Sequence, residues 1–222
     1  MSLTDEDPRI RLSQVRLCVI TDRGLSRGRS FEQVAVAVIR GGAQMIQFRD
    51  KELPDGEFYS QALRLRNLTR QAGILFTIDD RVDVALSVGA DGVHLGENDL
   101  PLEVARRLVG SKMILGASAR TPQAIRRAHQ GGADYLGVGA VFPTDTKDDA
   151  TYVGTERLAQ LRPLAKIPIL AIGGITAENV AQVIRAGADG VAVINAVVGA
   201  DDIAEATAMI LKKIRELREE KS

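Results

Sequence analysis

Gly89-Ala90-Asp91-Gly92-Val93-His94-Leu95 returns as Gly132-Ala133-Asp134-Tyr135-Leu136-Gly137-Val138. It returns again as Gly187-Ala188-Asp189-Gly190-Val191-Ala192-Val193, and Gly42-Ala43-Gln44 is a weaker copy before Met45–Phe48. Each copy joins a glycine that stops a helix to an apolar run of strand length. About two strand–helix units separate successive copies, so the device stands before every second strand. The units between them follow the same alternation. Val15–Thr21 is a β-type run. Ser30-Phe31-Glu32-Gln33 forms a capping box, with Phe31, Val34, Ala35 and Val38 at helical spacing behind it. Phe58–Gln71 is a helix and Ile74–Ile78 a strand. Thr121-Pro122 starts a helix with proline in its first turn. Ile167–Ile172 is a buried strand, Thr176 opens a helix that ends at Gly187, and Asp202-Ile203-Ala204-Glu205 caps the last helix. Alternation of this kind means a parallel sheet, open or closed. In a closed barrel, alternate strands fill the same interior layers. A repeat of two units therefore favours a single (β/α)8 barrel of the TIM type over a doubly wound sheet.

Composition agrees. At 222 residues, eight units average about 28 residues, a lean version of a barrel that typically runs to about 250. Residues 1–14 are expected to be a mobile N-terminal arm and 15–222 one barrel. The 29 basic and 29 acidic residues cancel, which gives no global pull toward nucleic acid or an anionic membrane. Trp is absent and the aromatics are scattered, so there is no stacking platform for single strands. The charged N-terminus lacks an export h-region, and no run of about 18 apolar residues occurs. The expected location is cytoplasmic; oligomeric state is left open. Cys18, the only cysteine, sits in an apolar run and reads as a small buried hydrophobe.

Barrel chemistry lies at the C-terminal strand ends. The first strand ends in Thr21-Asp22-Arg23. Gln47, Arg49 and Lys51, spaced by two, point to one side of an extended segment. Asp79 and Asp80 end the third strand, and Glu97-Asn98-Asp99 follows the fourth. Asp80 and Asp99 lie on neighbouring strands, where two carboxylates suit a hard cation such as Mg2+ with substrate phosphates; each could instead cap a helix. With Arg49, Lys51 and Lys147 on the same rim, metal plus polyphosphate is the better account. Gly173-Gly174-Ile175-Thr176 lies where this fold cradles phosphate, although a plain turn would look similar. Thr144, Thr146 and Lys147 form a hydroxyl-rich loop ending in a cation. Ser118 ends the fifth strand. His94, between apolar neighbours, reads as a hydrogen-bonded packed residue, and His129 as a solvated one. No nucleophile–His–Asp set is visible.

Five segments together are more specific. Val19-Ile20-Thr21-Asp22, Gln47-Phe48-Arg49-Asp50-Lys51, the run Gly89 to Gly96, Phe142-Pro143-Thr144-Asp145-Thr146-Lys147 and Ala171-Ile172-Gly173-Gly174-Ile175 resemble the signature segments of the thiamine-phosphate synthase family, in order and spacing. The resemblance covers roughly residues 15–200. It implies a transferase that joins hydroxymethylpyrimidine diphosphate to thiazole phosphate, releasing pyrophosphate and forming thiamine phosphate, with Mg2+ as cofactor and small phosphorylated molecules as partners. By position it implies that Arg49, Lys51 and Lys147 hold the diphosphate and act in catalysis. Asp80 and Asp99 would hold Mg2+. Gln47, Asp79 and Ser118 would contact the pyrimidine. Thr144, Thr146, Gly174, Ile194 and Asn195 would hold the thiazole phosphate. Phe48, Asp50 and Asp145 fall within the same binding segments. Two positions depart from the family pattern: Asp79 stands where Asn is usual, and Asn195 where Ser is common. Thiazole tautomerases share the fold and phosphate loop but do not need the cationic cluster. Other phosphate-substrate barrels, or a non-catalytic phosphate-binding barrel, are the remaining alternatives.

Overall fold

A computed structural model describes residues 7–144 and 152–219. Eight parallel strands close into a barrel in sequence order. They are β1 (Leu17–Ile20), β2 (Met45–Phe48), β3 (Leu75–Asp79), β4 (Gly92–Leu95), β5 (Ile114–Ser118), β6 (Tyr135–Gly139), β7 (Ile169–Ile172) and β8 (Gly190–Val193). Closure is made by β1 against β8, with Val19 opposite Val193. A short helix α1 (Pro8–Leu12) precedes the barrel. Around it run α2 (Phe31–Arg40), α3 (Asp55–Ala72), α4 (Val82–Val88), α5 (Leu102–Val109), α6 (Pro122–Gln130), α7 (Gly154–Leu161), α8 (Val180–Arg185), α9 (Asn195–Val198) and α10 (Ile203–Glu219).

Side-chain alternation along each strand sorts residues between two cores. On β2, Met45 joins the barrel interior with Cys18, Leu75, Ile114, Tyr135 and Leu170. Ile46 and Phe48 face the other way, into the layer under the helices. The interior is packed from below as well. Leu12 and Val15 belong to the same inner cluster, and Arg11 Nη2 donates to the Gly73 carbonyl at 2.7 Å. Where the sequence suggested an arm through residue 14, the chain is helical from Pro8 to Leu12, and Leu12 is buried in the barrel floor.

Helix starts follow local chemistry. Ser30 and Gln33 make the reciprocal capping box, and Thr121 Oγ1 accepts the Ala124 amide at 3.1 Å. One start differs from expectation. Asn179 Oδ1 takes the Thr176 amide at 2.9 Å while its Nδ2 donates to the Gly174 carbonyl at 2.8 Å. This side chain braces residues 176–179 as a turn, so α8 begins only at Val180.

The repeat acquires a physical meaning at the bottom of the barrel. Asp91 Oδ2 accepts the Phe76 amide of β3 at 2.8 Å, and the Asp91 amide returns a bond to the Phe76 carbonyl at 2.9 Å. Asp134 makes the same exchange with Leu115 of β5, at 2.8 and 2.7 Å. Asp189 makes it with Ile169 of β7, at 2.8 and 3.0 Å. In the weaker copy Gln44 keeps the acceptor: its Oε1 takes the Leu17 amide of β1 at 3.1 Å. Arg66, Arg106 and Arg162 sit against the three aspartates. Each even strand is thus latched at its start to the odd strand before it.

Candidate active site

The upper ends of the strands enclose a cavity of about 540 Å³ that reaches down to Cys18 and Leu170. Its first wall comes from β1, β2 and β3. Thr21 Oγ1 accepts the Arg49 amide at 3.0 Å and donates to the Arg49 carbonyl at 3.1 Å, which pins the residue that follows β2. Inside that frame Gln47 Nε2 donates to Asp79 Oδ1 at 2.8 Å. The Arg49 guanidinium lies between Asp22, at 3.2 Å, and Asp79, at 3.5 Å. Lys51 extends over the rim, 3.7 Å from Asp79 and ion-paired with Asp80. Asp79, 8% exposed, is therefore ringed by an amide and two cations.

Asp80 and Asp99 meet at this rim as neighbouring carboxyl groups. Burial and the adjacent Asp80 raise the pKa of Asp99 above the usual carboxylate range. Burial opposes ionisation of Asp80 too, but hydrogen bonds from Asp99 and Lys51 outweigh it, and the Asp80 pKa is lowered. Asp99 Oδ2 also accepts the Gly96 amide at 2.6 Å. Asp80 adopts a left-handed backbone, φ 60°, which turns its carboxylate toward this partner. Among the described residues no three His, Cys, Asp or Glu side chains gather as a metal cage. Two carboxylates fit Mg2+, which keeps several waters and takes its remaining oxygens from substrate phosphates.

The opposite wall is backbone-rich. Gly173 and Gly174 follow β7 with φ 100° and 61°. A Cβ on Gly174 would lie 2.5 Å from the Pro143 carbonyl oxygen and 2.8 Å from Phe142 Cβ, so only glycine lets this loop close against the one after β6. Ile194 caps α9 and Asn195 is its first residue, which brings the unpaired amides of a helix start to the same side. Thr144 borders the cavity between these loops.

Most of the expected residues therefore converge. Gln47, Arg49, Asp79, Ser118, Thr144, Gly174, Ile194 and Asn195 all line the cavity. Lys51, Asp80 and Asp99 sit on its rim. Two members of the β2 motif do not face it, because strand alternation turns them outward. Phe48 is fully buried between Phe31 and Phe58, with ring centroids 5.0 and 4.5 Å away. Asp50 Oδ1 accepts the amides of Glu52 and Leu53 at 2.8 and 2.7 Å, and its other oxygen lies 3.4 Å from Arg23 Nε, so it builds the turn. Asp145, Thr146 and Lys147 lie outside the described residues. The structure adds Arg120 and Tyr135 to the lining. Tyr135 could have been suspected, since it interrupts the apolar run after Gly-Ala-Asp, but its partner His94 is 41 positions away.

A closed (β/α)8 barrel with a carboxylate–cation rim facing a glycine and helix-start cradle is an enzyme scaffold for phosphorylated small molecules. The family profile described as "Thiamine monophosphate synthase" matches residues 17–197, and the chain belongs to that family. It is 50% identical over 208 residues to a thiamine-phosphate synthase of Chloroflexus aurantiacus, covering 93% of this chain and 95% of the relative. A thiamine-phosphate synthase of Moorella thermoacetica is 47% identical over 207 residues, covering 93% and 97%. Among solved structures, thiamine phosphate pyrophosphorylase from Pyrococcus furiosus superposes with a TM-score of 0.86 at 44% identity, covering 94% of this chain and 98% of that one. The chain is accordingly a transferase of thiamine biosynthesis. None of its described helices is long and apolar enough to cross a membrane.

Proposed function

We propose that the cavity joins 4-amino-2-methyl-5-hydroxymethylpyrimidine diphosphate to thiazole phosphate, with pyrophosphate as the leaving group. The observation that carries this reading is the division of the cavity into two anion-directed walls. One holds Arg49 and Lys51 beside the Asp80–Asp99 pair, and the other the Gly173-Gly174 loop with the start of α9. A diphosphate and a monophosphate can then lie across one cavity with their reactive ends inside it. Mg2+ held by Asp80 and Asp99 would neutralise charge on the departing pyrophosphate. Arg49 and Lys51 stay fixed between carboxylates, so their charge needs little reorganisation as the C–O bond breaks. Lys147, which the sequence resemblance adds to this group, would work on the same oxygens. Gln47 and Ser118 orient the pyrimidine, and the packed barrel below keeps water from the carbocation that pyrophosphate departure leaves. The thiazole nitrogen captures that carbon, so no protein nucleophile is required. Thr144, Thr146, Gly174, Ile194 and Asn195 hold the thiazole phosphate.

The test supplies both precursors with Mg2+ and follows pyrophosphate and thiamine phosphate together. Equal amounts of both products, lost with EDTA and restored by Mg2+, are expected. Full turnover in metal-free buffer would remove the metal role from Asp80 and Asp99. Absence of thiamine phosphate under all conditions would remove the substrate assignment.

A further inference from the structure

In the cavity wall, Tyr135 Oη lies 3.0 Å from His94 Nδ1, and His94 Nε2 lies 3.1 Å from Ser118 Oγ. The three side chains come from β6, β4 and β5 and form one chain from the barrel centre to the cavity wall. We propose that Tyr135 and His94 are positioning residues that fix the Ser118 hydroxyl as a hydrogen-bond donor toward the cavity.

The direction is set at the buried end. A neutral imidazole offers one N–H and one lone pair, so whatever Nδ1 does, Nε2 does the opposite. Tyr135 is 2% exposed, and burial, with Cys18 and Asp79 nearby, raises its pKa and keeps the phenol protonated. The buried Tyr135 Oη has His94 Nδ1 as its hydrogen-bond partner, and the buried Thr77 hydroxyl makes no hydrogen bond among the described residues. A buried phenol proton left without an acceptor is costly, so it goes to Nδ1, the acceptor within hydrogen-bond distance. Nδ1 accepts, Nε2 carries the hydrogen, and Nε2–H donates to Ser118 Oγ. With one lone pair so engaged, the Ser118 proton turns into the cavity.

Packing keeps the chain in place. A Cβ on Gly116 would lie 2.3 Å from the Tyr135 ring and 2.5 Å from His94 Nδ1, so the slot exists only because that position is glycine. The ligand atom that a Ser118 donor recognises is a lone-pair acceptor, such as a pyrimidine ring nitrogen. That consequence rests on the reading that Ser118 faces the pyrimidine substrate.

The chain contains two histidines, so 15N-histidine labelling reads the tautomer directly, with His129→Asn identifying the second signal. In the unmodified protein His94 is expected to show a bare Nδ1 and a protonated Nε2. A protonated Nδ1, or an imidazolium at neutral pH, overturns the inference without any variant at the site. In Tyr135→Phe the His94 signal should shift toward a tautomer mixture. The KM for the pyrimidine diphosphate should rise about 3- to 10-fold, the worth of one neutral hydrogen bond. The KM for thiazole phosphate should stay unchanged. His94→Gln, which keeps an N–H near the Nε2 position, should retain more pyrimidine affinity than His94→Leu; equal losses count against the relay. Failure of the underlying reading is separable. If Ser118→Ala leaves the pyrimidine KM unchanged while the tautomer is as stated, the substrate assignment of Ser118 falls and the hydrogen-bond direction stands.

Discussion

Asp80 joins a metal-suited carboxylate to a backbone conformation that L-residues avoid, φ 60°. Asp80→Gly and Asp80→Ala delete the same side-chain contacts with Lys51 and Asp99, so the difference between them isolates the backbone term. The glycine variant should be more stable than the alanine variant by about 1 kcal/mol, measured by urea unfolding. Equal stabilities would mean that the left-handed turn stores no strain. Neither variant should respond to Mg2+. Lys51 makes a different case. It is 55% exposed and paired with two aspartates, so its ground-state contribution is small. If it acts on departing pyrophosphate, Lys51→Ala should lower kcat by roughly 10²–10³ with a smaller change in KM. A raised KM with normal kcat, mimicked by high salt in the unmodified enzyme, would instead mark it as a collector of anions. At this scale the sequence identified many of the polar lining residues, because spacing by two along β2 sorts Gln47 and Arg49 inward. The same rule explains why Phe48 and Asp50 do not belong with them: a contiguous motif names neighbours in sequence, and a strand sends neighbours to opposite faces.

Elements owe their order to the latches at the barrel floor and their chemistry to the loops above. Asp134→Ala would leave the Leu115 amide without its acceptor and remove the Arg106 ion pair. Loss of a buried partner costs about 1–3 kcal/mol, so the melting temperature should fall by several degrees while kcat is unchanged. A fall in kcat would show that floor and rim are coupled. Gly174→Val is the opposite experiment. Its side chain would strike the Pro143 carbonyl, and the KM for thiazole phosphate should rise while the pyrimidine diphosphate site keeps its affinity. Loss of diphosphate affinity would mean that the two walls have been assigned in reverse. Strand and cap positions were readable in advance because they depend on short-range pattern: β2 spans Met45–Phe48, and Ser30 and Thr121 cap as expected. The start of α8 was not, because it depends on whether Asn179 binds the Thr176 amide, and nothing in local periodicity decides that. The Tyr135–His94–Ser118 chain was hidden for a related reason, since three strands must close before those atoms meet.

For the whole molecule, the repeat indicated a barrel because it has the period of the interior layers, and closure of β1 on β8 bears this out. What that period could not convey is how the two ends divide the labour. The floor uses one latch four times, with Gln44, Asp91, Asp134 and Asp189, whereas the rim sets charged side chains on one side against a glycine loop and a helix start on the other. Every latch joins an odd strand to the next even one, so none crosses the connection between α5 and β5. That connection is exposed at Gly110-Ser111-Lys112. A chain severed there yields residues 1–110 with the backbone bonds of two latches and 111–222 with those of the other two, the Arg106–Asp134 ion pair being divided between them. The first piece holds Arg49, Lys51, Asp80 and Asp99, and the second Ser118, Thr144, Gly174 and Asn195. Neither owns both phosphate walls. Co-expressed halves fused to two interacting proteins should therefore make thiamine phosphate only when those proteins meet, so that growth of a thiamine-requiring host becomes a survival readout for association between unrelated partners.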